Sequence, residues 1–300
     1  MGSCIEAAAT STRRGLLFGR GALHLADAAA EACLSRAHHE ADELDLLINT
    51  GIYKDHNTAE PALASIIQED VGANIGGPPV IGHHGTFSFD LLNGGAGFIT
   101  AASLADGFVA GGTARLAMIV AADADPSPRT SRHYPFKPAG GAVMLAPGKL
   151  GFQRFVIRTF PEDAALFESH LVWDAHAGWR GHNIVEIREA PVFEDRCVDH
   201  AVEVARGVLA DAALRPEQIE VLIASQYPEG FGLRVARALG IPDDRLPHIP
   251  PELRGTHTAG PIGALESALT TRRFAHAHHA LFVTCGAGIT IGVAWYRGWE

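Results

Sequence analysis

Short apolar runs and longer segments of helical periodicity alternate along most of the chain. The apolar runs predict buried strands at residues 46–51, 116–122, 139–145, 221–224, 281–284 and 289–296. Apolar positions recur at helical spacing over residues 21–41 and 198–213, and Gly240 is placed to close a further helix over 232–239. Pro61 predicts the first turn of a helix that runs through Gln68. Buried strands with helices between them predict an α/β protein built in layers.

The stretch SFDLLNGGAGF, residues 88–98, organises the first half of the chain. It predicts a buried strand that turns sharply into a helix of small residues over 99–111, which must pack on all sides. A glycine-rich elbow that aims a helix N-terminus at a pocket is where enzymes place a nucleophile or bind a phosphate. Residues 93–97 are Asn, Gly, Gly, Ala and Gly, so this elbow lacks a reactive side chain.

The second half of the chain repeats the pattern of the first. The helix, acidic turn and strand at 23–50 recur at 198–225, and one offset of 164 residues aligns Ala96 with Gly260 and Met118 with Phe282. Residues 149–195 are less regular. We predict two similar halves, residues 1–150 and 151–300, packed into one compact body.

Composition narrows the class of protein. Hydrophobic residues make up 47% of the chain and charged residues 19%, which is typical of a heavily buried protein with a large subunit interface. A net charge of −10 argues against binding to nucleic acid. Since no apolar run approaches the roughly 20 residues of a membrane span and the N-terminus has no signal-like apolar core, we expect a cytoplasmic protein.

Cysteines and histidines do not form a recognisable metal site. The four cysteines are far apart and form no CxxC motif, so we expect reduced thiols. The neighbouring histidines (His38 and His39, His83 and His84, and His276, His278 and His279) have no carboxylate or cysteine partner at ligand spacing, and no metal or other cofactor is expected.

Five segments, taken in order, carry a family resemblance. They are DLLINTG at 45–51, IIQEDVGA at 66–73, FDL through AGF at 89–98, GGAV at 140–143 and GAG at 286–288. Together they resemble the ketoacyl-ACP synthase III group of the thiolase superfamily. The resemblance implies the duplicated α-β-α-β-α layered fold of that superfamily.

The resemblance also assigns roles to positions in this sequence. Enzymes of the group use a cysteine at a helix N-terminus to take an acyl group, and a histidine and an asparagine to hold a thioester carbonyl. The nucleophile position falls on Gly95, the histidine position on Ser225, and the asparagine position on Gly255 or Thr256. Gln226 keeps the residue that usually follows the histidine. We predict that substrate binding involves Asn93, Gly94, Gly95, Gln226 and Thr256.

Two other residues are candidates for reactivity. The internal offset pairs His257 with Asn93, which predicts that His257 faces the same cleft from the opposite elbow. Ser225 and His257 then form a possible Ser–His pair, and the alternative is a loop histidine bonded to backbone. Cys285 either lies beside the cleft or is a buried small apolar residue. Trp173 and Trp179 are interpreted as packing or interface residues.

Three functions remain open at this point. The first is a non-catalytic or atypical subunit that pairs with an intact ketosynthase in fatty-acid or polyketide biosynthesis, with an acyl carrier protein as a further partner. The second is an acyltransferase or thioester hydrolase that acts on acyl-CoA or acyl-ACP through Ser225 and His257. The third is an acyl-ligand-binding protein without turnover. The resemblance implies a homodimer or heterodimer built around the strand that follows the elbow helix.

Overall fold

The computed structural model describes residues 2–12, 21–57, 60–76, 85–126, 134–173 and 183–298. The predictions for His83, His84 and Trp179 lie outside these residues. The helices are α1 (Ala22–Ala37), α2 (Leu63–Asp70), α3 (Gly97–Ala110), α4 (Phe193–Asp211), α5 (Phe231–Leu239) and α6 (Gly260–Thr270). The strands are β1 (Gly2–Thr12), β2 (Leu46–Asn49), β3 (Phe87–Asp90), β4 (Ala117–Asp123), β5 (Ala139–Gly148), β6 (Gly151–Thr159), β7 (Phe167–Trp173), β8 (Asn183–Glu189), β9 (Val221–Ala224), β10 (His279–Gly286) and β11 (Thr290–Arg297).

Two large sheets share one topology. The first has the order β1-β5-β4-β2-β3 and the second the order β6-β11-β10-β9. In the first sheet, β1 is antiparallel to β5, β5 is antiparallel to β4, and β4 is parallel to β2. In the second sheet, β6, β11, β10 and β9 pair in the same way. The second sheet has no counterpart of β3 in the described chain. Strand β5 ends at Gly148 and β6 begins at Gly151, so the chain passes from the first sheet to the second between them. The division of the chain into two halves at residue 150 stays a prediction.

Three large groups of buried side chains lie between the layers of helices and sheets. One group joins α1 and α2 to the first sheet, and another joins α4 and α5 to the second. The third lies between the sheets and contains Phe98 of α3, Ile262 of α6 and Phe282 of β10. Because Ala101, Ala102 and Ala105 are fully buried in α3, the backbones of both sheets can approach this helix closely. The α-β-α-β-α layered fold is therefore confirmed.

The structure corrects three expectations about individual elements. Residues 149–195 hold strands β6, β7 and β8. Strand β6 shows no alternation of buried and exposed residues, because its exposed residues are consecutive at 153–154 and 157–159. Strand β3 is not buried, since it is an edge strand and Phe87 is 57% exposed. Helix α2 begins at Leu63 rather than at Pro61, because the side chain of Asp90 accepts hydrogen bonds from the first backbone N–H groups at that point.

The strand after the elbow helix is not available for pairing between subunits. Strand β4 is hydrogen-bonded to β2 on one side and to β5 on the other. A partner strand therefore cannot add to β4, while the dimer itself stays a prediction. The edge strands of the first sheet are β1 and β3, and β3 precedes the elbow.

A pair of carboxyl groups links α1 to α2. Burial raises the pKa of Asp27 to about 7, and the charges of Asp70 and Glu31 and a hydrogen bond with Asp70 add to this effect. The buried Oδ1 of Asp27 has no hydrogen-bond partner among the described residues. The folded protein therefore keeps a proton that the unfolded chain releases above about pH 4. As a consequence, this pair lowers the unfolding free energy as the pH rises from about 4 to about 7.

We expect Asp27→Asn to be more stable than the parent protein at pH 8 and to show a flatter pH dependence. Urea unfolding at pH 5 and at pH 8 measures the difference. The matched control is Asp211→Asn, because Asp211 lies on the solvent side of α4 and its side chain is 60% exposed. Equal pH slopes for the parent and Asp27→Asn would contradict the assignment of the proton to this pair.

Candidate functional site

The predicted elbow forms between β3 and α3. The chain leaves β3 at Asp90, makes a single 3-10 turn over 94–96 and enters α3 at Gly97. Gly94 has a φ of +51°, a left-handed conformation that favours glycine. The side-chain amide of Asn93 donates to the Thr100 hydroxyl at 2.9 Å, so it is bound to the first turn of its own helix.

No space remains for a side chain at Gly95. A Cβ placed on Gly95 would lie closer than 3.0 Å to the backbone carbonyl oxygen of Cys285 and 3.7 Å from the Ser225 hydroxyl. Gly286 is equally close to the elbow, because its Cβ would lie 2.8 Å from the carbonyl oxygen of Asn93. The end of β10 therefore packs directly against the elbow, backbone against backbone.

Ser225 links two strands of the second sheet at this contact. Its side chain is buried, and its hydroxyl accepts a hydrogen bond of 3.1 Å from the backbone N–H of Cys285. Ser225 and Gln226 line a small cavity of about 160 Å³ whose other walls include Phe231 and Leu246. The side-chain amide of Gln226 donates to the carbonyl of Ala224 at 3.0 Å.

The loop that holds Gly255, Thr256 and His257 is fixed by its own hydrogen bonds. Gly255 has a φ of +73°, and its carbonyl accepts from the backbone N–H of Lys137 at 3.0 Å. Thr256 is fully buried and donates to the carbonyl of Leu253 at 2.8 Å. Its hydroxyl is therefore occupied within the loop.

His257 is bound to a carboxylate rather than to Ser225. Its Nδ1 lies 3.2 Å from Oδ2 of Asp123, and its ring stacks on Phe136 with centroids 4.3 Å apart. The structure gives no hydrogen bond between Ser225 and His257, although it describes both residues. The predicted Ser–His pair is not formed, because Ser225 is hydrogen-bonded to Cys285 and His257 to Asp123.

Asp123, which the sequence pattern does not single out, organises this loop. Its carboxylate is 1% exposed and accepts hydrogen bonds from five donors. These are the backbone N–H groups of Ile52, Tyr53 and Thr258, the Thr258 hydroxyl and His257. Burial by itself raises the pKa of Asp123, but the charge of His257 and the hydrogen bonds outweigh it and hold the pKa below its ordinary value. The available signal was an acidic residue directly after a fully apolar strand.

A second carboxylate, which is partly buried, lies at the start of the elbow. Asp90 receives hydrogen bonds from Lys54 at 2.5 Å, from Asn49 at 3.0 Å and from the backbone N–H groups of Leu63 and Ala64. Burial raises the pKa of Asp90, yet these donors together hold it below the ordinary value. The Phe-Asp dipeptide of the family resemblance therefore has a structural role, since Asp90 joins β3 to the start of α2.

Cys285 is buried, in agreement with its interpretation as a buried small apolar residue. Its thiol lies 3.8 Å from the carbonyl oxygen of Gly286, and the interaction of Cys197 with Cys285 together with burial raises the pKa of Cys197. A thiol with a raised pKa is a poor nucleophile. Trp173 is 61% exposed and so does not pack within this chain, while its role at an interface stays a prediction.

Two features are absent from the described residues. None of the helices found there has both the length and the apolar character needed to cross a membrane. Within the same residues, no group of three His, Cys, Asp or Glu side chains is arranged to hold a metal ion.

The duplicated five-layer fold and the glycine-rich elbow define a thiolase-like protein, and comparisons with known proteins agree. Residues 209–297 match the family model described as 3-oxoacyl-[acyl-carrier-protein (ACP)] synthase III C terminal. The beta-ketoacyl-[acyl-carrier-protein] synthase III of Rhodospirillum centenum is 26% identical over 93% of this chain and 84% of its own length. The corresponding synthase III 1 of Lactiplantibacillus plantarum is 25% identical over 82% of this chain and 76% of its own length.

Solved structures show the same fold. The 3-oxoacyl-[acyl-carrier-protein] synthase III of Aquifex aeolicus superimposes with a TM-score of 0.81 at 19% identity and covers 99% of this chain and 100% of its own. The priming beta-ketosynthase from the R1128 polyketide biosynthetic pathway has a TM-score of 0.81 at 18% identity and covers 100% of this chain and 97% of its own. The chain is therefore similar in sequence to beta-ketoacyl-ACP synthase III proteins over most of its length and shares their fold, as the resemblance found in the sequence implies.

Proposed function

We propose that this chain is a non-catalytic subunit that pairs with an intact ketoacyl-ACP synthase in fatty-acid or polyketide-type biosynthesis. The observation that carries the proposal is the closed elbow, where the carbonyl of Cys285 occupies the space of any side chain at Gly95. A condensing enzyme of this family needs a thiolate at that place to take the acyl group. Such a thiolate cannot be accommodated without moving the end of β10.

The neighbouring polar groups support the same role. Ser225 is bound to the backbone of Cys285, Thr256 to its own loop and His257 to Asp123. None of these side chains contacts another in a pattern that would activate a nucleophile. A subunit that completes an assembly without turning over substrate is expected to keep the fold of the enzyme while its nucleophile position is blocked.

The open edge of β3 is the surface that we propose for pairing. Phe87 is 57% exposed on this strand, and Leu104 on the neighbouring helix α3 is 43% exposed. The ring of Phe87 lies 6.3 Å from that of Phe108 of α3, which places strand and helix side by side at this surface. A strand from the partner would add to the first sheet and satisfy the unpaired backbone groups of β3.

The test combines association with chemistry. The chain is purified alone and together with an intact synthase encoded beside it, then incubated with acyl-CoA or acyl-ACP and analysed by intact-mass spectrometry. We expect a stable complex in which the synthase alone gains the acyl mass. Phe87→Glu is expected to abolish the complex, because it places a charge in the proposed interface, whereas the matched control Ile157→Glu, on the exposed face of β6, is expected to leave it intact.

Two outcomes would contradict the proposal. A protein that never associates with a synthase would remove the subunit role. An acyl adduct that forms on this chain alone and is lost in Ser225→Ala would instead establish an acyltransferase with altered chemistry.

A further inference from the structure

A cavity of about 330 Å³ lies between the segment that follows β2 and the antiparallel strands β7 and β8. Its walls are mainly apolar and are formed by Ile52, Tyr53, Leu92, Leu171 and Val185. The residues that close the elbow, among them Gly95 and Ser225, do not line it. Cavities of this size with apolar walls and a few convergent polar groups are typical of small-molecule sites.

The ammonium group of Lys54 lies at the wall of this cavity. Its side chain is only 10% exposed, and its one hydrogen bond in the described chain goes to Oδ2 of Asp90. An ammonium group has three donors, so two remain for an acceptor inside the cavity. A charged amine that is almost completely removed from water gains from a second partner.

The negative charge of Asp90 does not fully compensate the positive charge of Lys54. Each of its two oxygens accepts two hydrogen bonds, one of them from the backbone N–H groups at the start of α2. The first turn of a helix carries a partial positive charge, which compensates part of the Asp90 charge. The other titratable side chains that line the cavity are Tyr53, whose hydroxyl donates to that of Ser169, and His170, which is exposed and lies 3.4 Å from Glu168. The Lys54–Asp90 group therefore keeps an excess of positive charge toward the cavity.

We propose that this cavity binds a small aliphatic carboxylic acid, with the carboxylate on Lys54 and the chain against Ile52, Leu171 and Val185. The cavity volume of about 330 Å³ lies in the range of small-molecule sites, and octanoate is a probe that joins a carboxylate to an aliphatic chain. Binding is non-covalent and independent of the proposed pairing with a synthase, so the two proposals are tested separately.

The experiment measures binding of sodium octanoate and of octanamide to the purified chain by isothermal titration calorimetry. The two probes have nearly the same shape and differ in charge. We expect octanoate to bind at least tenfold more tightly than octanamide. In Lys54→Met this preference is expected to disappear while the affinity for octanamide changes little.

A second variant keeps the Lys54–Asp90 pair intact. Leu171 is 57% exposed at the rim of the cavity, and Leu171→Glu places a negative charge there. We expect octanoate affinity to fall at least tenfold in Leu171→Glu and to stay unchanged in Ile157→Glu, a matched change of an exposed apolar residue on β6. Equal affinity of the parent protein for both probes, no binding of octanoate, or the same behaviour of both glutamate variants would overturn the proposal.

Discussion

Gly95→Cys is expected to lose about 3 kcal/mol of unfolding free energy and to remain without an acyl adduct after incubation with acyl-CoA. Overpacking of a buried site typically costs about 1–3 kcal/mol. The upper end applies because the added Cβ would meet the backbone carbonyl of Cys285, which cannot rotate away as a side chain can. The urea midpoint measures the stability, and intact-mass spectrometry measures acylation.

The matched control for this variant is Gly107→Ala. Gly107 lies on the same helix, α3, and a Cβ added there meets no atom within 4 Å. Replacing an exposed helical glycine by alanine is expected to raise the unfolding free energy by about 0.5–1 kcal/mol. A Gly95→Cys protein that is as stable as its parent and takes up an acyl group would show that the elbow can accept a nucleophile, against the proposed subunit role.

Asp123→Ala is expected to cost at least about 4 kcal/mol, a large part of the roughly 5–15 kcal/mol that stabilises a typical domain. The substitution leaves the buried donors of Ile52, Tyr53 and Thr258 without a partner and His257 without its carboxylate. Each unsatisfied buried group costs about 1–3 kcal/mol. Thermal and urea unfolding measure the loss. We expect Asp211→Ala, which breaks only an exposed ion pair with Arg154, to stay within about 1 kcal/mol of the parent.

The same carboxylate contributes to acid sensitivity. Because the pKa of Asp123 is lower in the folded protein than in the unfolded chain, its contribution to stability is complete above about pH 4 and is lost as the pH falls through the folded value. Asp90 acts in the same direction. An Asp123→Asn variant that retains full stability at pH 7 would show that the hydrogen-bonded charge contributes little.

The layered fold was predictable because its signals are local and are repeated. Apolar runs such as 221–224 and the glycine that closes α5 can be read without any tertiary information, and the repeat adds a second copy of each signal. Strands β6 to β8 were missed because their stability comes from pairing with neighbours rather than from an apolar pattern. Strand β6, for example, has three exposed residues at its end and is held by β11.

The site was predictable only in part. The glycines of the elbow mark a turn in the sequence, and the position of Gly95 follows from the residues on either side of it. The contact that closes the elbow is made by the main-chain oxygen of Cys285, and no side-chain identity encodes the position of a carbonyl. The partners of His257 and Lys54 were missed for a related reason, since Asp123 and Asp90 lie 134 and 36 residues away in sequence.

The edges of the two sheets have a consequence for the symmetry of the assembly. Strand β6, at the outer edge of the second sheet, carries Arg154 and Arg158, and charged side chains discourage the addition of another strand. Strand β3, at the outer edge of the first, presents the uncharged Phe87. When two subunits join through the same kind of edge, neither subunit has that edge free for a third, and the assembly is closed. We therefore expect association through β3 to stop at two subunits instead of growing into a filament.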